Sequence, residues 1–264
     1  MLDHLERLFR ERCIDAIWSL HVSQMARYGF DRLIYGCTRF RRPEGFGNLD
    51  DTLFLSNHAP AFTEAYVHDG LFRHSPMVKW AADHEGDCSW NGIAATCDPD
   101  TLTEEERRVY ELNRAHRVTA GYTVSFPSEN LRNKAAIGLC AAPGISQAQV
   151  DAIWSEHRRD LMVANLAFHL RVSSLPFIGT RRGLTPRQRE VLEWVGDGKT
   201  TADIATILGL TPATVEKHLR LAREVLDVET TAQAVLKASM QGQIFLNVAD
   251  DQPPLAAAPP KAYK

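Results

Sequence analysis

No stretch of 18 residues in this 264-residue chain is both apolar and free of charge, so nothing in it reads as a membrane span. The opening segment MLDHLERLFRERCIDAIW breaks its apolar residues with charges, where a signal peptide needs an unbroken apolar region. The expected location is therefore the cytoplasm. Cysteine is scarce and odd in number: Cys13, Cys37, Cys88, Cys97 and Cys140 contain no C-x-x-C pair, which argues against a disulfide framework and for buried free thiols. No strong excess of charge exists either, since 30 Lys and Arg stand against 33 Asp and Glu, so the totals give no sign of a nucleic-acid partner. Also missing are G-x-S-x-G, a P-loop and G-x-G-x-x-G, which removes the commonest signatures of an enzyme. What remains is ordinary globular composition, with 44% hydrophobic and 24% charged residues, long enough for one large domain or two unequal ones.

Two textures divide the chain. Residues 1–172 mix helical and strand periods, 173–183 carry Pro176, Gly179 and Gly183 without an apolar period and read as a linker, and 184–246 show helical signals only. The Pro- and Ala-rich tail 247–264 reads as disordered. In the first part, Leu2, Leu5, Leu8, Phe9, Ile14, Ile17 and Trp18 predict one opening amphipathic helix. Strands are predicted over Arg32 to Phe40, Thr52 to Ser56, Thr119 to Pro127 and Lys134 to Ala142. Helices are predicted over Ala61 to His68, Leu71 to Asp83, Thr103 to His116 and Ser146 to about Val172, the last opened by the capping box Ser146-x-x-Gln149. The fold class is α+β: an N-terminal α/β/α sandwich, an antiparallel sheet with helices on both faces, followed by an all-α four-helix helix-turn-helix domain.

In the second part, Thr185-x-x-Gln188, Thr200-x-x-Asp203 and Thr230-x-x-Gln233 are capping boxes, and Thr211-Pro212 is an N-cap followed by Pro at the first helical position. Gly209-Leu210-Thr211 joins two helices by the short turn that a helix-turn-helix requires. Val215, Leu219, Ala222 and Leu226 form the inner face of the longer helix, opposite Ala213, Lys217, Arg220 and Glu224. Such an outer face suits a DNA major groove: Arg220 toward guanine O6 and N7, Glu216 toward cytosine N4 or a neighbouring base, with Thr214 on the flank. Lys199, Lys217, Arg223 and the hydroxyls of Thr200, Thr201 and Thr211 are candidates for phosphates. A small bundle with a merely solvated face is the alternative. Leu184 to Ile244, with its LTPR opening, Glu190-Val191-Leu192, Gly198-Lys199, Ile204-Ala205 and Thr214-Val215, resembles the DNA-binding domain of the LuxR family of transcription regulators. Gln188 departs from that family's usual Glu, which leaves the capping box intact and removes a charge at the helix start.

The N-terminal region resembles the acyl-homoserine-lactone-binding domain of quorum-sensing regulators, on the pattern W-x3-Y-x8-D-P-x13-W followed by a Gly that opens a strand. Here the pattern reads Phe62, Tyr66, Ser75-Pro76 and Trp90, then Gly121-Tyr122-Thr123-Val124, with every spacing kept. The resemblance implies a small-molecule pocket built on Phe62, Tyr66, Ser75, Trp90 and Gly121. Two positions depart from it. The family's first Trp donates an indole N–H to the lactone carbonyl, which Phe62 cannot do. The family's Asp accepts from the ligand amide, a charge-assisted bond worth roughly 1.5–3 kcal/mol, where a neutral Ser75 hydroxyl gives nearer 0.5–1.5 kcal/mol. Three readings stay open: a different small molecule such as an aryl, pyrone or plant-derived compound, a lactone held by other donors, or a filled core that binds nothing. The first is favoured.

His58, His68, His74, His84 and Cys88 lie close in sequence but, apart from a lone His84-x3-Cys88, lack ligand spacing, so the histidines read as solvated or capping side chains and no metal or cofactor is expected. The resemblance implies a homodimer on a palindromic double-stranded DNA site, with Ser146 to Val172 and the last helix from Thr230 as dimer surfaces. Arg181 to Leu246 carry nine Lys and Arg against eight Asp and Glu, so the DNA-binding part is itself only weakly basic. A paired site is then needed for affinity.

Overall fold

The computed structural model describes residues 1–41, 51–94, 102–128, 130, 132–176 and 183–245. It divides into two compact units, Met1–Ser173 and Ser174–Lys264. Most of the predicted linker and all of the predicted tail lie outside the described residues, as does Cys97.

The first unit begins with two helices, α1 (Leu2–Arg10) and α2 (Ile14–Ala26), where the sequence predicts one. The break is local. Glu11 adopts an extended conformation at ψ 142°, and its carboxylate accepts from the backbone N–H groups of Arg12 and Cys13 at 2.8 and 3.1 Å, satisfying donors that a continuing helix would have used. Strands β1 (Phe30–Thr38), β2 (Thr52–Ser56), β3 (Gly86–Ser89), β4 (Gly121–Ser125) and β5 (Lys134–Ala141) form one antiparallel sheet in the order β2-β1-β5-β4-β3. Strand β3 was not legible in the sequence: Gly-Asp-Cys-Ser has no alternating apolar pattern and pairs only with β4 at the sheet edge.

Period-two alternation gives the sheet two different faces. Tyr35, Ile137 and Leu139 point to the side covered by α2 and the long α7 (Gln147–Ser173), where Tyr35 meets Phe168 edge-on and Tyr122 stacks on Trp154 at 4.1 Å. Ile34, Gly36, Ala136, Gly138 and Thr123 point the other way, toward α3 (Pro60–Thr63), a π-helical turn Glu64–His68, a 3-10 turn Leu71–His74, α4 (Pro76–Asp83), α5 (Trp90–Ala94) and α6 (Glu104–Ala115). The helix predicted over Leu71 to Asp83 is split at Ser75, whose ψ of 126° is the extended conformation that a following proline imposes. Capping boxes open α6 at Thr103 and, as predicted, set Gln149 against Ser146 at the start of α7.

The second unit is the predicted run of four helices: α8 (Pro186–Gly196), α9 (Thr201–Leu208), α10 (Pro212–Leu226) and α11 (Thr231–Met240). Reciprocal capping boxes close at Thr185, Thr200 and Thr230, and Thr211 accepts from the Thr214 N–H at 3.2 Å. Each such cap contributes on the order of 1 kcal/mol. Gly209 turns the chain from α9 to α10 at φ +62°, a left-handed conformation that glycine takes without penalty. Val215, Leu219, Ala222 and Leu226 are buried against α8 and α11, the face assigned to them by period. Gln188 is buried as well, which accounts for an amide in place of a carboxylate there, since a buried charge costs more than a buried neutral acceptor.

Of the four described cysteines only Cys140 is fully buried. Cys13, Cys37 and Cys88 are half-buried free thiols.

Candidate functional site: a sheet-floored cavity and an exposed helix

Between the sheet and helices α3 to α6 lies a cavity of about 430 Å3, within the range typical of small-molecule sites. Its floor is unusually flat because β1 and β5 contribute Gly36 and Gly138 on that face. A Cβ added at either would meet Phe54 or Ile34 at 3.3 Å, so the sheet surface stays bare backbone between those apolar neighbours. Phe54, Phe72, Val78, Ala81 and Ala136 complete the apolar walls. Lys79 on α4 donates to Glu106 on α6 at 2.5 Å, tying two of the bounding helices together.

Phe62, Tyr66, Ser75 and Trp90, four of the five residues singled out in the sequence, line this cavity. Phe62 and Tyr66, one turn apart, stack with ring centroids 5.1 Å apart. Trp90 spends its indole N–H on Thr123 Oγ1 at 2.9 Å, and Tyr66 is hydrogen-bonded to Ser75. Burial pushes the Tyr66 phenol up to about 12, with the Ser75 bond acting in the opposite direction, so the hydroxyl stays protonated. The polar groups of Tyr66, Ser75 and Trp90 are thus already engaged within the protein.

Gly121 is the exception. It lies on the same sheet face but outside the cavity lining, because the Trp90 ring fills the space above it. A Cβ at Gly121 would fall 2.8 Å from that ring and 2.2 Å from the Leu139 carbonyl oxygen. Its role is to seat Trp90, not to touch a ligand. His58 corrects the sequence reading in the opposite sense. It is not solvated: it is buried, stacks on Phe62 at 4.5 Å and lines the cavity, and burial lowers its imidazole to about 4, assisted by Arg32 and His116.

In the second unit α10 presents Ala213, Glu216, Lys217, Arg220 and Glu224 to solvent, with Thr214 and Arg223 half-buried at its flanks. These groups are internally engaged. The Arg220 guanidinium donates to Glu224 one turn on, Thr201 donates to Glu216 at 2.9 Å, and Arg223 donates to Thr231 at 2.9 Å. The hydroxyls of Thr200 and Thr211 are committed to the caps of α9 and α10, while Lys199 stands exposed just ahead of α9. The arrangement holds one helix outward on three buttressing helices, as a helix-turn-helix demands.

Comparison with known proteins agrees with both halves. Residues 14–172 match the autoinducer binding domain, and residues 182–238 match the bacterial regulatory proteins of the luxR family. The chain belongs to the LuxR family of quorum-sensing transcription regulators. Among its relatives, the HTH-type quorum sensing-dependent transcriptional regulator RpaR of Rhodopseudomonas palustris is 43% identical over 198 residues, covering 74% of this chain and 76% of that one. The transcriptional activator protein AnoR of Acinetobacter nosocomialis is 24% identical over 229 residues, covering 86% and 92%. The crystal structure of CepR2, an N-acylhomoserine-lactone-dependent LuxR-family factor of Burkholderia cenocepacia, shares the fold with a TM-score of 0.50 at 17% identity, over 64% of this chain and 91% of that one.

This LuxR-family chain is accordingly a DNA-binding regulator and not an enzyme, and its helix-turn-helix is the DNA-binding element. No helix among the described residues is long and apolar enough to cross a membrane. Sequence reasoning missed His58, Asn113, Arg114 and Thr123 as cavity residues. His58 lies in the turn between β2 and α3, where no periodic pattern reaches it.

Proposed function

We propose that the chain is a ligand-responsive, sequence-specific transcription regulator of the cytoplasm that acts as a homodimer and senses a small molecule other than a standard acyl-homoserine lactone. The observation that carries this reading is the cavity itself: it is open, flat-floored and aromatic-walled, yet Phe62 and Ser75 withdraw the two polar anchors a lactone amide uses. An open volume of this size speaks against a filled core, and stacked rings at His58, Phe62 and Tyr66 favour a planar ligand.

One recognition helix reads few base pairs, so two copies are needed to address half-sites about one DNA turn apart. Val163, Leu166 and Leu170 stand exposed in a row on α7, and Leu236 on α11, which supports these two helices as the dimer surfaces. A ligand bound to the folded state alone adds stability of RT ln(1 + [L]/Kd), about 2.7 kcal/mol at a hundredfold excess over Kd. Thermal shift and native mass spectrometry of the full chain against N-acyl-homoserine lactones and planar aryl compounds test the proposal. Stabilisation by aryl compounds and not by lactones is expected. A larger shift with a lactone overturns the ligand class, and no shift with either class overturns ligand response.

A further inference from the structure

The polar atoms around the cavity differ sharply in what they still have to offer. Trp90 and Thr123 satisfy each other, as do Tyr66 and Ser75. His58 does not: its ring stacks on Phe62 in a buried position, and neither ring nitrogen has a hydrogen-bond partner among the described residues. Asn113 and Arg114, on the last turn of α6, also line the cavity, and the Arg114 guanidinium makes no ion pair among the described residues. His116, two residues on, meets the Phe62 ring edge-on at 5.5 Å and lies within electrostatic reach of His58. His58 and His116 therefore flank Phe62 together, while Asn113 and Arg114 line the same cavity from the last turn of α6.

The lining is rich in donors, and none of the described residues that form it is Asp or Glu, Ser75 being a neutral hydroxyl. Arg32, which acts on His58, already pairs with Asp31 at 3.1 Å, which leaves Arg114 as the cation without an ion pair among the described lining residues. Apart from the hydroxyls of Tyr110 and Thr119, the rest of the lining is apolar, from Phe54 and Phe72 to Val78, Ala81 and Ala136. A guanidinium offers a planar fork of donors that matches a carboxylate, and beside low-dielectric walls the attraction is screened less than on open surface.

We infer that the ligand of this cavity is an amphiphilic carboxylate, an aryl or aryl-alkyl acid whose ring lies over the glycine floor while its anion sits at Arg114, with Asn113 and His58 as neutral donors. This rests on the proposed reading of the cavity as a ligand site and narrows it to a charge class. Arg114 is then a specificity-determining residue: it distinguishes an acid from the neutral amide of the same shape.

The test compares 4-phenylbutanoate with 4-phenylbutanamide on the full-length protein by calorimetric titration at pH 7.5. The acid is expected to bind about tenfold more tightly, a gap that narrows as salt rises from 0.1 to 0.5 M. Arg114→Gln is expected to bring acid and amide to the same affinity and to remove the salt dependence of acid binding, while an unchanged Tm of the unliganded protein reports an intact fold. The inference is overturned by an amide that binds as tightly as the acid, by Arg114→Gln retaining the preference, or by neither probe binding while neutral aryl compounds or lactones do. In that last outcome the regulator's ligand response stands and only the charge class falls.

Discussion

Replacing Gly121 by Ala tests the architecture of the cavity at its tightest point. The added Cβ would lie 2.2 Å from the Leu139 carbonyl oxygen and 2.8–2.9 Å from two atoms of the Trp90 ring, distances that real Cβ atoms essentially never show. Relief requires movements of close to 1 Å in a β5 backbone atom and in an indole held by its bond to Thr123. Overpacking in a well-filled core costs typically 1–3 kcal/mol, and a clash with backbone on one side and a tethered ring on the other places this substitution near about 3 kcal/mol. For a unit of this size that corresponds to a drop in Tm of roughly 6–12 °C. Thermal unfolding followed by tryptophan fluorescence measures it, with Gly92→Ala as the companion variant, since a Cβ there meets only Cys88 Sγ at 3.9 Å. A Gly121→Ala protein melting within 2 °C of the parent would refute the view that this glycine exists to seat Trp90.

Acidification should destabilise the first unit between pH 6.5 and 4. Burial lowers His21 to about 3 and His58 and His169 to about 4 from 6.5, so in this window the unfolded chain binds protons that the folded chain refuses. Each imidazole then costs on the order of 2 kcal/mol at pH 5, and urea titrations showing pH-independent stability from 7 to 5 would contradict it. Arg220→Ala should cost roughly 1–3 kcal/mol in binding to a DNA site selected from random sequence and relax discrimination at one base, whereas Lys217→Ala should mainly reduce the salt slope by about one. Footprinting with unchanged site preference for Arg220→Ala would count against its base contact. Phe62→Trp combined with Ser75→Asp restores an indole donor and a carboxylate acceptor, and a reporter strain should gain response to acyl-homoserine lactones. No gain at any chain length would remove the anchor argument.

The helix-turn-helix was almost wholly legible because its determinants are local: Thr185, Thr200, Thr211 and Thr230 each satisfy donors within three residues of themselves. Four of the five strands were legible for the same reason, through alternation. What was not legible depends on partners distant in the chain. Burial of His58 arises from Phe62, His116 and Arg32, and no property of the segment around it distinguishes it from His68, which stays exposed. Gly121 and Trp90, 31 residues apart, were both recognised as part of one constellation, but only the sheet geometry separates the wall residue from the one that makes room for it. The split at Ser75-Pro76 was local and was misread, since the apolar spacing on either side of it continues in helical period.

The π-helical turn Glu64–His68 lies within this cavity wall, closed by the Asp69 N–H donating to the Glu64 carbonyl at 3.0 Å. Such a turn holds one residue more than an α-helix would, and each helical residue rotates the chain by about 100°. Losing a single codon between Glu64 and His68 would let the turn relax to α geometry and swing the residues after it around the axis relative to Phe62. The wall that faces a bound molecule can thus be recomposed by an in-frame deletion or insertion, a mutational route separate from exchanging one side chain for another.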